Sequence, residues 1–186
     1  MGKVFGYPEF DANGEKVLTT YDNEYKEMLM DIRVFRLNAG DVKTFCRAGE
    51  ETAVLLLKGD VVFSFDETSK EVTRKDVFTE GPWAVHICTG AKVIVEAKAD
   101  SEILVQSTMN DQTFESKLYA PEDAPWGYSC VGKFGNVAKR RVNTIFDHDI
   151  APYSNMVLGE VLNDRGNWSG YLPVSYTHLT LPTNRE

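Results

Sequence analysis

Short runs of strand-forming residues, separated by turn-forming residues, dominate the chain between Ile32 and Thr108. The runs are rich in Val, Ile, Leu and Phe, and they recur at the close spacing that is typical of an all-β sandwich or barrel. This spacing leaves little room for helices. The predicted strands are Val34–Leu37, Thr52–Leu57, Val61–Phe65, Glu71–Phe78, Ala84–Cys88, Lys92–Glu96 and Ile103–Val105.

Glycine and acidic residues mark the expected chain reversals between these strands. They cluster at Asn38–Asp41, Lys58–Asp60, Glu80–Pro82 and Thr89–Ala91, and such residues supply the backbone conformations that tight turns require. The run Ala53–Leu57 is apolar without interruption, which predicts a strand that is covered on both faces.

A second β region follows a segment rich in proline and glycine. Between residues 119 and 135 these residues interrupt every regular pattern, which predicts a connecting segment. Strand composition resumes at Arg141–Phe146 and at Ser154–Leu162, on either side of a turn at Asp147–Pro152. Two strands are too few to close a barrel, so we expect this second β unit to be incomplete in the sequence.

Composition and charge narrow the class of protein. The chain has 186 residues, of which 42% are hydrophobic and 26% charged, as in ordinary globular proteins. Its net charge of −8 disfavours a nucleic-acid partner. No apolar run is long enough for a signal peptide or a membrane span. The three cysteines form no Cys-x-x-Cys pair, which favours a reducing cytoplasm.

Several long stretches of the sequence closely resemble the 5-deoxy-glucuronate isomerase family, bicupin sugar isomerases of bacterial myo-inositol catabolism. The resemblance extends from about Glu27 to Tyr171. It implies an all-β bicupin fold, an aldose–ketose isomerisation of a sugar acid, and a divalent metal in the C-terminal barrel of the full-length parent. The stretches that carry it are Glu50–Gly59, Phe78–Pro82, Ala99–Ser107 and Ala151–Glu160.

This resemblance also implies a division of the chain. Residues 1–118 are expected to form an N-terminal region and a complete cupin barrel, 119–140 a linker, and 141–171 the start of a second cupin. After Tyr171 the family continues into Pro-Pro-His-x-His, whereas this sequence departs from it. Residues 172–186 are therefore interpreted as an artefactual, adapter-like tail, since they show no hydrophobic period that would bury a face. We expect this fragment to be inactive.

A cupin metal site needs about three histidines and a carboxylate around one cation. The chain has three histidines, which lie far apart in sequence and form no His-x-His pair. We therefore expect a metal-free first cupin, no cofactor in this chain, and a metal only in the full-length parent. In an alignment with the general cupin pattern, the ligand positions of the first barrel fall at Thr44–Arg47, Thr52 and Val93.

Other polar residues admit two interpretations each. His86 lies on a predicted strand, where contacts with neighbours or solvent are favoured over metal ligation. The pair Glu50–Glu51 is interpreted as a solvated strand entry rather than an acid–base pair, and Asp147–Asp149 as a capped turn. Lys139–Arg141 would suit a sugar carboxylate or a solvated linker, and both interpretations stay open.

The sequence identifies no catalytic residue. Ser154, Asn155, Glu160 and Trp168 are the residues that we predict to lie near the substrate, a small sugar acid. A second copy of the chain is a further expected partner, and no membrane is. Two functions remain: a 5-deoxy-glucuronate isomerase, or a non-catalytic cupin that serves as a scaffold or sugar-binding module.

Overall fold

A computed structural model describes residues 8–168, which form antiparallel β-structure with three short 3₁₀ stretches. The all-β class expected from the sequence is confirmed. No helix within these residues is long and apolar enough to cross a membrane. The strands are β1 (Glu15–Thr19), β2 (Met30–Leu37), β3 (Val42–Phe45), β4 (Glu50–Phe65), β5 (Thr68–Arg74), β6 (Trp83–Ile87), β7 (Val93–Ala97), β8 (Ser101–Met109), β9 (Lys117–Tyr119), β10 (Gly127–Ser129), β11 (Arg140–Phe146) and β12 (Leu158–Asn163), and the 3₁₀ stretches are Lys26–Met28, Pro121–Asp123 and Lys133–Asn136.

The first nine strands form a barrel-like arrangement around β4. One row of hydrogen-bonded strands runs β1-β2-β8-β4-β6-β9, and β4 also pairs with β5 and β7, while β7 pairs with β3. The first half of β4 pairs with β6 and β8, and its second half, from Gly59 onward, pairs with β5 and β7. Strand β4 is therefore shared by two sheets and connects them.

Strand β4 corrects one prediction from the sequence. Lys58–Asp60 was expected to form a turn between two strands, but the chain continues as one strand of 16 residues. Gly59 has φ +113°, and a Cβ at this position would lie 2.1 Å from Oγ of Ser101. The pairing with β8 also shifts between Leu56 and Lys58. The glycine thus bends the strand instead of reversing it.

The barrel interior is filled by apolar side chains. Along β4, alternation directs Val54 and Leu56 into the barrel, while Ala53 and Leu55 lie on its outer face. Both faces are buried from Ala53 to Leu56, whereas Leu57 is only partly buried, so the prediction for Ala53–Leu57 is confirmed except at its last residue. Each fully buried aliphatic side chain stabilises the fold by about 1.5–3 kcal/mol. The inner cluster comprises Phe35, Leu37, Val54, Leu56, Val61, Phe63, Phe65, Val72, Val85, Ile87, Val93, Val95, Ala97, Ile103 and Val105.

The outer face of β4 and β6 is covered by a later segment of the chain, Ile145–Leu158, which belongs to the same compact unit as the barrel. Ile145, Phe146 and Met156 supply its buried apolar side chains. The predicted strand Ser154–Leu162 is too long, because β12 begins only at Leu158. Ser154 and Asn155 instead bond to a buried carboxylate, described below, and this draws the backbone away from a regular strand.

Among the described residues, the second compact unit comprises 125–144 and 159–168, and it contains a small sheet of order β10-β11-β12. Strands β10 and β11 are antiparallel, with Tyr128 opposite Arg141. Two cations stack on aromatic rings here. The guanidinium of Arg141 lies 3.7 Å from the ring of Trp126, and the ammonium of Lys139 lies 4.6 Å from the ring of Tyr128.

Candidate functional site

One end of the barrel carries a network of charged side chains. Asp31 and Arg33 lie on the same face of β2 as the interior residues Phe35 and Leu37. Arg33 donates two hydrogen bonds to the carboxylate of Asp31, at 2.7 and 2.8 Å. This paired geometry is the strongest arrangement of a guanidinium and a carboxylate.

Arg47 extends this network. Its Nη1 atom lies 3.1 Å from Oδ2 of Asp31 and 3.1 Å from Oε2 of Glu50. The hydroxyl of Tyr21 donates to the same Glu50 oxygen at 3.1 Å. Burial by itself raises the pKa of Asp31, but the hydrogen bonds and positive charges of Arg33 and Arg47 outweigh it and leave that pKa below its ordinary value. Each of these carboxylates therefore already has a cationic partner.

The positions aligned with cupin metal ligands do not suit a divalent cation. Phe45 packs against Phe35, with ring centroids 5.5 Å apart, and Arg47 is itself a cation. Thr52 is buried and bonds to the hydroxyl of Ser107 at 2.9 Å, and Val93 belongs to the apolar core. Within residues 8–168 no three His, Cys, Asp or Glu side chains converge. The residues at these positions of the first barrel therefore do not fit a divalent metal.

A second polar cluster lies on the outer face of β4. Oε2 of Glu51 lies 2.8 Å from Nε2 of His86, and both side chains are 0% exposed. Ser154 donates its hydroxyl to the same oxygen at 3.0 Å, and the backbone N–H of Asn155 donates to Oε1 at 2.7 Å. Glu51 is therefore not part of a solvated strand entry, and that prediction is wrong.

Hydrogen bonding stabilises the charged form of this buried carboxylate. Burial raises the pKa of Glu51, but the bonds from His86, Asn155 and Ser154 outweigh it, so its pKa lies below the ordinary value. With the carboxylate charged, we assign the proton of His86 to Nε2, where it acts as the donor. Since substrate has no access to this fully buried pair, its chemistry is structural: it holds residues 154 and 155 against the barrel.

Aromatic rings surround His86. Its imidazole stacks on Phe146, with ring centroids 4.4 Å apart and an interplanar angle of 7°. Phe114 lies at 4.7 Å and Tyr153 at 6.2 Å. The interpretation of His86 as a strand histidine satisfied by a neighbour is confirmed, and the neighbour is Glu51. Its Nδ1 atom is buried without a hydrogen-bond partner.

The four predicted substrate-binding residues divide between the two compact units. Ser154 and Asn155 belong to the first unit, and Glu160 and Trp168 to the second. Ser154 and Asn155 bond to Glu51, as described above. Glu160 lies on β12, and the ring of Trp168 lies 5.6 Å from that of Phe134. Their role in binding substrate stays a prediction.

One further sequence prediction has a structural outcome. The turn at Asp147 is capped as expected, since Oδ1 of Asp147 accepts hydrogen bonds from the backbone N–H groups of Asp149 and Ile150. The predicted tail at 172–186, with His178, lies outside the described residues.

Glu51 was the main residue that sequence reasoning missed. Its signal was alternation along the strand, which places Glu51 on the same face as Ala53 and Leu55.

The comparisons with known proteins agree with the resemblance. The sequence profile described as the KduI/IolB family matches residues 7–180. The chain belongs to the KduI/IolB family.

Relatives in the KduI/IolB family include two proteins named 5-deoxy-glucuronate isomerase. The protein from Lacticaseibacillus casei is 29% identical over 135 residues, which are 71% of this chain and 48% of that protein. The protein from Bacillus subtilis (strain 168) is 25% identical over 175 residues, which are 92% of this chain and 63% of that protein. This chain thus spans about half to nearly two thirds of these relatives.

A solved structure shows the same fold. The crystal structure of an IolB-like protein from Salmonella typhimurium LT2 matches with a TM-score of 0.66 at 17% sequence identity. The match covers 74% of this chain and 52% of that one. The all-β, cupin-like fold expected for this member of the KduI/IolB family is confirmed, whereas the start of a second cupin stays a prediction.

Proposed function

We propose that this chain is part of a 5-deoxy-glucuronate isomerase, an enzyme of myo-inositol catabolism that interconverts an aldose and a ketose form of a sugar acid. The observation that carries the proposal is the match of the KduI/IolB family to residues 7–180, together with the names of the relatives. A cytoplasmic location, association of several copies, and the division at residues 118, 140 and 171 belong to the same proposal.

Within this enzyme we assign the barrel a non-catalytic role. Aldose–ketose isomerisation needs a base that moves a proton between adjacent carbons and a group that polarises the carbonyl. The barrel interior is apolar, its polar end consists of carboxylates paired with Arg33 and Arg47, and the ligand positions are occupied by Phe45, Arg47, Thr52 and Val93. These residues favour a scaffold, with the metal-dependent chemistry in the part of the relatives that this chain does not span.

The same observations favour a second candidate, a cupin that acts only as a scaffold or sugar-binding module. The two candidates differ in whether the barrel supports isomerase activity when the rest of a family member is supplied. A chimera decides between them. Residues 8–168 of this chain would replace the matching residues of the Bacillus subtilis relative, and conversion of 5-deoxy-glucuronate would be followed by proton NMR.

We expect the chimera to turn over the substrate and this chain alone to show no turnover, with the unmodified relative as the positive control. A folded chimera without activity would contradict the isomerase proposal. Turnover by this chain alone would contradict the non-catalytic role of the barrel. Circular dichroism of each protein separates loss of folding from loss of activity.

A further inference from the structure

A cleft of about 310 Å³ lies on the first compact unit, beside the segment Ile145–Leu158. Glu115, Ser116, Lys117 and Tyr153 line it. Its volume is at the lower end of the range for small-molecule sites. The lining combines a cation, a carboxylate, a hydroxyl and an aromatic ring, which is a mixed polar surface rather than an apolar groove.

The aromatic wall of this cleft is held in place from several sides. The ring of Tyr153 stacks on Phe114 with centroids 4.4 Å apart, and the backbone carbonyl of Tyr153 accepts a hydrogen bond of 2.8 Å from Nδ2 of Asn110. The next two residues are bound by buried Glu51. A wall fixed in this way binds a ligand without first having to be ordered, which favours affinity.

The cation of the cleft is positioned by the aromatic cluster behind it. The ammonium of Lys117 lies 4.5 Å from the ring of Tyr119, a buried residue that packs among the apolar side chains of the outer face. A cation–π contact orients an exposed lysine without neutralising its charge. The charge of Lys117 therefore stays available to a ligand in the cleft.

We propose that this cleft binds a small sugar acid. The ammonium of Lys117 pairs with the carboxylate of the ligand, Glu115 and Ser116 bond to its hydroxyls, and the apolar face of the sugar ring packs on Tyr153. The choice of a sugar acid rests on the proposed isomerase function. The cleft lies on the outer side of the barrel, so the site is separate from the barrel interior.

The test is a titration of the chain with D-glucuronate, followed through the backbone amide signals of residues 115–117 in ¹H–¹⁵N NMR spectra. We expect saturable shifts at these residues. Lys117→Gln is expected to weaken binding at least about tenfold, the loss expected for one charge-assisted hydrogen bond, and Lys117→Arg to retain it. Lys16→Gln is the matched control, since the Lys16 ammonium also lies over an aromatic ring, 4.3 Å from that of Phe10.

Three results would overturn the proposal: no saturable shift at residues 115–117, equal affinity in Lys117→Gln and the parent chain, or loss of binding in Lys117→Arg as well. Glucose and acetate are titrated in parallel, and binding of either one as tightly as glucuronate would overturn it too. The chimera assay does not depend on this cleft. An active chimera, together with no glucuronate-induced shifts in this chain, would therefore refute ligand binding at the cleft and leave the isomerase proposal standing.

Discussion

Two neighbouring glutamates on β4 lie in opposite environments. The carboxylate of Glu50 belongs to the charged network at the barrel end, with Arg47 and Tyr21 as partners. That of Glu51 lies on the outer face, fully buried, where its partners are His86, Ser154 and the backbone of Asn155. The first is balanced by a positive charge and the second by hydrogen bonds. One step along a strand changes the face, and with it the partners that surround the carboxylate.

The largest loss of stability is expected when the buried glutamate, Glu51, is removed. Glu51→Ala leaves the buried Nε2–H of His86 and the backbone N–H of Asn155 without their acceptor, whereas the Ser154 hydroxyl keeps the carbonyl of Met156. It should therefore lower the free energy of unfolding by about 3 kcal/mol. Glu50→Ala should lower the free energy of unfolding clearly less, because the side chain of Glu50 is partly exposed. Urea unfolding of both variants measures the difference, and equal losses would contradict this comparison.

The pH dependence of stability sharpens the comparison. The pKa of Glu51 in the folded chain lies below the ordinary 4.5, so its stabilisation is fully present above that pH and is lost as the pH falls through the folded-state value. Glu51→Gln should therefore flatten the decrease in stability below about pH 4.5. The measurement is thermal unfolding across the acid range. A decrease as steep in Glu51→Gln as in the parent chain would show that other groups cause it.

Salt should change the stability contribution of the charged network more than that of buried Glu51. Arg47→Met removes the cation that pairs with Asp31 and Glu50, and we expect a loss of about 1–2 kcal/mol, between the values for exposed and buried ion pairs. Since the network lies at the barrel end, high salt should reduce this loss. The loss in Glu51→Ala should hardly change, because salt does not screen a fully buried group. Unfolding at low and high ionic strength measures the loss in each variant. An equal response of Arg47→Met and Glu51→Ala to salt would refute the difference between the two environments.

The smallest effect is expected at an exposed ion pair of the same barrel. Arg36 bonds to Glu102 at 2.8 Å, but its side chain is 59% exposed. Arg36→Gln should change the free energy of unfolding by less than about 1 kcal/mol. Urea unfolding checks this value. A loss as large as that of Arg47→Met would mean that burial does not govern the strength of ion pairs here.

The β-class and most strand positions followed from local patterns. The runs around Ala53–Leu57 and Lys92–Glu96 mark strands because alternation and β-branched composition act over a few residues. Lys58–Asp60 was misassigned for the same reason. In the sequence, a glycine with turn-forming neighbours indicates a chain reversal. In the structure, Gly59 lies at a bend in a continuous strand, and a glycine is required there because Ser101 approaches it closely.

The sequence by itself determined the fold class, the family and the absence of a recognisable histidine ligand set, because these depend on composition, on strand alternation and on long sequence motifs. Only the tertiary structure decided which residues meet. Glu51 is 35 residues from His86 and 103 from Ser154, and the cleft joins Lys117 to Tyr153. Such pairings depend on sheet register and on which segment covers the outer face of the barrel, and both are set by the packing of the whole chain rather than by local preference.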